Sequence, residues 1–325
     1  MALLKLNKDT YSPGAWTKYA ADSFPSTAEV NFRSGSIVYE LDTAKIFKWI
    51  GDNISGGNWD LYSHHGAKLV TDPMLDISEG VVNGRKTVNK FGRAVNGVQT
   101  TKTDIWDRAD ATPTQQIWLA PTAARIHTIQ SDSASDVSGG VGATTVVISY
   151  LADWDTAETT ETVSGNLNAG IAMNNAAVLI HRMVVTPQAS STSTNVGTIT
   201  ATAATDTTIT AQINPGEGQT QMAIYGIPST QTLHINSFYG SINRASAATG
   251  SLNISMVVNP NPDVQTLAFL IKNTRGLQST GTNNDSFSFD PPFKITGPAI
   301  VKIEGIASAA DLESSAGFNG VLVNN

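Results

Sequence analysis

Residues 216–244 read GEGQTQMAIYGIPSTQTLHINSFYGSINR. Alternate residues of a strand face opposite sides. Met222, Ile224 and Gly226 therefore take one face, and Ala223, Tyr225 and Ile227 the other. Both faces are apolar, which predicts an interior strand with Tyr225 in the core. Pro228 has no N–H for a ladder and ends the run, and Ser229-Thr230-Gln231 reads as a hairpin loop into a second strand. That strand puts Leu233 and Ile235 on one face but Phe238 and Ile242 on the other. A β-bulge or a change of sheet near Asn236-Ser237 produces such a phase switch. Long strands that swap faces belong to sandwiches and barrels.

Outward from this stretch the chain keeps the same character. Six short β-patterned runs lie between residues 120 and 213, at 126–131, 145–151, 158–163, 178–185, 197–203 and 207–213. Six more follow, at 221–227, 232–243, 252–258, 267–273, 292–303 and 318–323, and turn residues separate them. The best helical candidate, 307–316, is short. Residues 272–290 read as a turn-rich insertion with an exposed tip at Thr282, Asn283 and Asn284. The expected fold is all-β: a small N-terminal β-meander, then two tandem or packed antiparallel, jelly-roll-like sandwiches. The expected domains are 1–70, a hairpin anchoring module; 71–95, a glycine-broken linker or wrapping segment; 96–213, a first sandwich; and 214–325, a second. In the first module Ile37–Leu41 and Ile46–Ile50 are strands joined by Asp42-Thr43-Ala44-Lys45. So small a meander is marginal alone, and Val38, Phe47, Trp49 and Trp59 are its candidate oligomer or anchoring contacts.

Composition narrows the function classes. Charged residues are 14% of the 325, against roughly a quarter in ordinary domains, and Thr, Ser, Asn, Ala and Gly fill the deficit. The net charge of −7, with no basic run, disfavours nucleic acid as a partner. There is no cysteine, so disulfides and thiolate metal sites are excluded. No apolar run approaches the ~18 residues of a membrane span. The N-terminal MALLKLNKDT is too short in apolar residues for a signal-peptide core, so synthesis in the cytoplasm without the usual export is expected.

Catalytic chemistry finds little support. His64 and His65 point to opposite strand faces, while His127 and His181 sit within β-patterned runs and read as structural. Asp153 and Asp155 share a strand face as a glycosidase pair would, but Ala152–Thr156 reads better as a solvated loop. Asp104, Asp107 and Asp110 lack the spacing and glycine of an EF-hand. No nucleophile elbow or phosphate-cradling glycine motif occurs. The six tryptophans read as packing or subunit contacts in preference to sugar platforms. Neither a cofactor nor a metal is expected.

Two motifs carry a resemblance. Tyr39-x-x-Asp42-Thr43-x-Lys45-x-Phe47-x-Trp49-x-Gly51, with Trp59 beyond it, resembles small modules near the N-termini of bacteriophage fibre and baseplate proteins. Val88-Asn89-Lys90-Phe91-Gly92, followed by Asp104-Ile105-Trp106-Asp107, resembles the opening of the main body in virion proteins of marine phages and cyanophages. That likeness runs on through most of 85–325. It implies a non-enzymatic virion protein, assembled in the host cytoplasm and exposed on the particle as capsid decoration, head fibre or tail accessory. Its partners would be other capsid or tail proteins. The low-charge composition and the marginal N-terminal meander add the expectation that the chain assembles with itself, as a trimer. The alternatives are a fibre that binds host surface glycan and, behind it, a polysaccharide depolymerase, for which no short internal repeat speaks.

Overall fold

The computed structural model describes residues 4–5, 15–18, 37–40, 45–52, 56–64, 73–108, 115–186, 194–245, 250–264 and 268–325. Two compact units result, 1–79 and 80–325. In the first, β1 (Leu4–Lys5), β2 (Ala15–Lys18), β3 (Ile37–Glu40), β4 (Lys45–Asp52) and β5 (Gly56–His64) form one sheet in that order. The expected meander is β3-β4-β5, extended by β2, which runs parallel to β3. The short helix α1 (Pro73–Ser78) closes the unit.

The second unit opens with β6 (Arg85–Val98), a strand of 14 residues within what reads in sequence as linker. The two-residue β7 (Thr103–Asp104) follows. Next come β8 (His127–Ser131), β9 (Thr145–Leu151), β10 (Thr159–Ser164), β11 (Ile171–Ala172), β12 (Leu179–Val185), β13 (Ile199–Ala203) and β14 (Ile209–Ile213). These make two facing layers, β10-β9-β12 and β11-β8-β13-β14. The last group is β15 (Ile224–Ile227), β16 (Gln231–Ala245), β17 (Ser251–Asn259), β18 (Leu270–Gln278), β19 (Asn284–Thr296), β20 (Ala299–Ala307) and β21 (Leu312–Asn324). Its sheets are β15-β20-β17-β18, with β7 added on β20, and β19-β16-β21-β6.

The all-β sandwich class is as expected, and the sandwiches are packed within one compact unit sharing a contiguous core. Four local expectations change. The run 221–227 and the strand after it are not a hairpin: β15 pairs with β20, whereas β16 lies between β19 and β21. Pro228–Thr230 therefore crosses from one sheet to the other. Residues 272–290 are mostly paired backbone, in β18 and β19, and only the tip is turn. The helical candidate at 307–316 is a turn and the start of β21. The stretch 85–95 is the edge strand β6. The phase switch in β16 is real: its register slips between Ile235 and Ser237 against both neighbours.

Strand β15 is the seam of the unit. All four of its residues are buried. Just before it, Ala223 N–H donates to Ile105 O at 3.0 Å, Ile303 N–H to Ala223 O at 3.0 Å, and Ile105 N–H to Ile303 O at 3.0 Å. Gly92 of β6 passes so close that a Cβ there would collide with the backbone of Ile105 and Ala223. The fully buried Trp106, Trp118, Phe238 and Phe318 anchor the core around it, each worth on the order of 2–3 kcal/mol of apolar burial.

Candidate functional site

On its free edge, β15 meets the first sandwich through one side chain. Antiparallel geometry turns both the N–H and C=O of Gly226 away from β20. Gly226 N–H donates to His181 Nε2 at 3.0 Å. A residue with a Cβ would crowd that ring and the methyls of Leu151 and Leu179. Nε2 also lies 3.1 Å from Gly226 O. The carboxylate beside the other nitrogen can only accept, which places a proton on Nδ1, donating to Glu158 Oε2 at 2.5 Å. The Tyr225 ring stacks on the imidazole, centroids 4.1 Å apart, and its hydroxyl lies 3.5 Å from the same carboxylate oxygen. Lys86 Nζ donates to the other oxygen, Glu158 Oε1, at 2.7 Å. Below them Lys90, with 4% of its surface exposed, donates from Nζ to His181 O.

The electrostatics follow from burial. Desolvation holds His181 below its ordinary value, against the hydrogen bond and charge of Glu158, and so keeps it neutral. Burial pushes the Glu158 carboxyl up, but the hydrogen bond from His181 and the hydrogen bond and charge of Lys86 outweigh it and hold the group below the ordinary carboxylate range. Burial, then the Glu158 charge, raises the Tyr225 phenol. Lys90 is pushed down to about 7 by burial and by the neighbouring Arg182, with Glu158 pulling the other way.

These groups line a cleft of about 480 Å³, walled by β6 residues from Lys86 to Phe91 and by Ser149, Arg182 and Gln219. A carboxylate–histidine pair with a tyrosine and a lysine has the composition of a reaction centre. Its geometry does not leave the necessary atoms free. Nε2, the nitrogen that would act as base, is occupied by Gly226 N–H, and one ring face is covered by Tyr225. The arrangement seals a sheet edge.

The residues singled out in sequence fall elsewhere. Val38 is buried and faces the half-buried Phe47 across β3 and β4. Trp49 and Trp59 are cross-strand partners in register, and their side chains lie outside the described residues. Thr282, Asn283 and Asn284 are exposed at the β18–β19 tip, where the carbonyls of Thr282 and Asn283 accept from Gln278 N–H and Ile242 N–H. Asp153 is exposed, its Oδ1 accepting from the N–H groups of Asp155 and Thr156, which is a turn and not half of an acid pair. Asp104 is ion-paired with Lys302 at 2.6 Å. Asp107 is buried, and desolvation pushes its carboxyl up to about 8. Asp110 lies outside the described residues. Among the described residues no group of three or more metal-binding side chains converges, and no helix is long and apolar enough to cross a membrane.

Sequence reading missed the pairing of Glu158 with His181. They stand 23 residues apart, Glu158 just before β10 and His181 on β12, with β9 between those strands, so no short motif contains them. The one available signal was a histidine beside Arg182 in the otherwise apolar run Val178–Val185, where burial demands a partner.

No family model matches the chain, and no curated protein matches it significantly. Among solved structures the chain is similar to the T=1 particle derived from infectious bursal virus, at 11% identity over 74% of this chain and 69% of that one. The TM-score of 0.20 is too low for that likeness to bear on fold or function.

Proposed function

We propose that this chain is a non-enzymatic structural protein of a bacteriophage virion, an accessory component exposed on the particle. One observation carries the reading. The longer motif behind the virion resemblance is largely architectural: Val88–Gly92 lies in β6, and Asp104–Asp107 is buried where the chain crosses the seam at β15. It supplies a buried Trp106, a backbone exchange at Ile105 and a glycine approach at Gly92, while Asn89 and Lys90 of the same motif line the cleft.

The low-charge, hydroxyl-rich composition suits a protein packed against neighbours. Assembly as a homotrimer, anchored through residues 1–70 to capsid or tail proteins, completes the proposal. The tryptophan-based version of glycan recognition loses its platforms among the described residues, since Trp106 and Trp118 are fully buried and Trp154 packs on the core. Particles purified from the producing lysate, examined by peptide mass spectrometry and cryo-electron microscopy, test the reading. The expected result is a fixed copy number at symmetric positions on the surface. Absence from particles, or release of reducing ends from capsular polysaccharide by the purified chain, would overturn it.

A further inference from the structure

We infer that the cleft beside β6 is a binding site for a small hydroxylated oxyanion, a sugar acid or a sugar phosphate, held between Lys90, Arg182 and Lys86. Charge balance is the first ground. Three cations line the cleft, and the carboxylate they share, Glu158, is already engaged by His181 and Lys86. Glu158 attracts Lys90 but hydrogen-bonds neither Lys90 nor Arg182, so one carboxylate serves three cations and the cleft keeps a surplus of positive charge. A buried ammonium such as Lys90, with a like charge beside it, is costly unless a counter-charge joins it.

Donor accounting is the second ground. An ammonium has three N–H donors, and the buried Lys90 spends one on His181 O. Arg182 has five, makes one hydrogen bond, to Asn89 O at 3.1 Å, and lies 5.8 Å above the Phe91 ring. An oxyanion bridging the two groups satisfies the remaining donors in charge-assisted bonds. The rest of the wall explains the hydroxyls: Ser149, Asn89 and Gln219 offer side-chain donors and acceptors around the cleft. A volume of about 480 Å³ is that of a small-molecule site. Lys86, 58% exposed, stands at the mouth and Lys90 at the floor.

Calorimetry and thermal unfolding of the full chain with glucuronate, glucose 6-phosphate and glucose test the inference. One or both acids should bind, raising Tm, at least about tenfold more tightly than glucose. Binding of glucuronate alone assigns the carboxylate, and of glucose 6-phosphate alone the phosphate. Lys90→Met removes the buried charge while keeping the stem, and should weaken binding at least about tenfold in a folded protein. Arg182→Gln, at a half-exposed position, should act in the same direction. Affinity should also fall from pH 6 to pH 9 as Lys90 loses its proton among Arg182, Glu158, Lys86, His181 and Tyr225, and Lys90→Met should abolish that dependence. No preference for either acid over glucose, or unchanged affinity in both variants, would overturn the proposal.

Discussion

Two lysines of the second unit are almost equally buried and differ in every other respect. Lys302, 2% exposed, sits on β20 with its ammonium 2.6 Å from Asp104 and 4.3 Å from the centre of the Phe269 ring. Beside them Lys102 meets Glu304 at 3.0 Å, so the neighbourhood holds two cations and two anions. Lys90 on β6 has a carbonyl for its hydrogen-bond partner, with Arg182 as a neighbour and Glu158 attracting it without a direct bond. A buried charge that is paired and capped is part of the fold. A buried charge left in surplus on the wall of a cleft is an offer to a ligand. The difference lies in the partners each strand meets, since burial alone is the same.

The comparison breaks first at Lys302. Lys302→Ala leaves Asp104 buried and unpaired, and chemical denaturation should show a loss of about 3–5 kcal/mol. A loss below about 1 kcal/mol would put the two lysines in one class. Tyr225→Ala comes next. Removing a ring that is 3% exposed and stacked on His181 should cost about 3–4 kcal/mol, and a small effect would mean that the seam at β15 is not where the core is held.

Lys90→Met should do the opposite of Lys302→Ala, with stability unchanged or higher by about 1 kcal/mol at neutral pH, because a desolvated charge is replaced by an apolar chain. The pH dependence sharpens this. Lys90 titrates near 7 in the folded chain and at its ordinary 10.5 when unfolded. Between those values the unfolded chain binds the extra proton, so stability attributable to Lys90 rises with pH across that window and is lost as pH falls through it. Unfolding midpoints measured from pH 7 to 10 should climb more steeply in the parent than in Lys90→Met. The smallest effect belongs to Asn284→Ala at the exposed tip, within about 0.5 kcal/mol by the same denaturation measurement.

Legibility in the sequence follows the range of the interaction. Tyr225 reads as core because both faces of its run are apolar, and the bulge in β16 reads from the change of phase between Ile235 and Phe238; both signals are local. The partner of β15 is not local. Met222–Ile227 has the same pattern whether it pairs with the next strand or with β20, some 75 residues on. Strand β6 was hidden for a different reason. Its buried face runs Val88, Lys90, Gly92, Ala94, and a lysine and a glycine stand where a strand usually shows aliphatic residues. The glycine is required by the close approach to Ala223, and the lysine hydrogen-bonds His181 O across to β12, so what obscured the strand is also what singles it out.

We propose that the His181–Glu158–Tyr225 cluster braces the seam and performs no proton chemistry. Nitrogen-15 NMR of the five histidine rings tests it directly. His181 should appear as the neutral Nδ1–H tautomer and remain so across about pH 5–8, where a free imidazole titrates. A His181 ring that gains charge in that range, or that carries its proton on Nε2 with Nδ1 free, would contradict the claim and return the cluster to the candidates for catalysis.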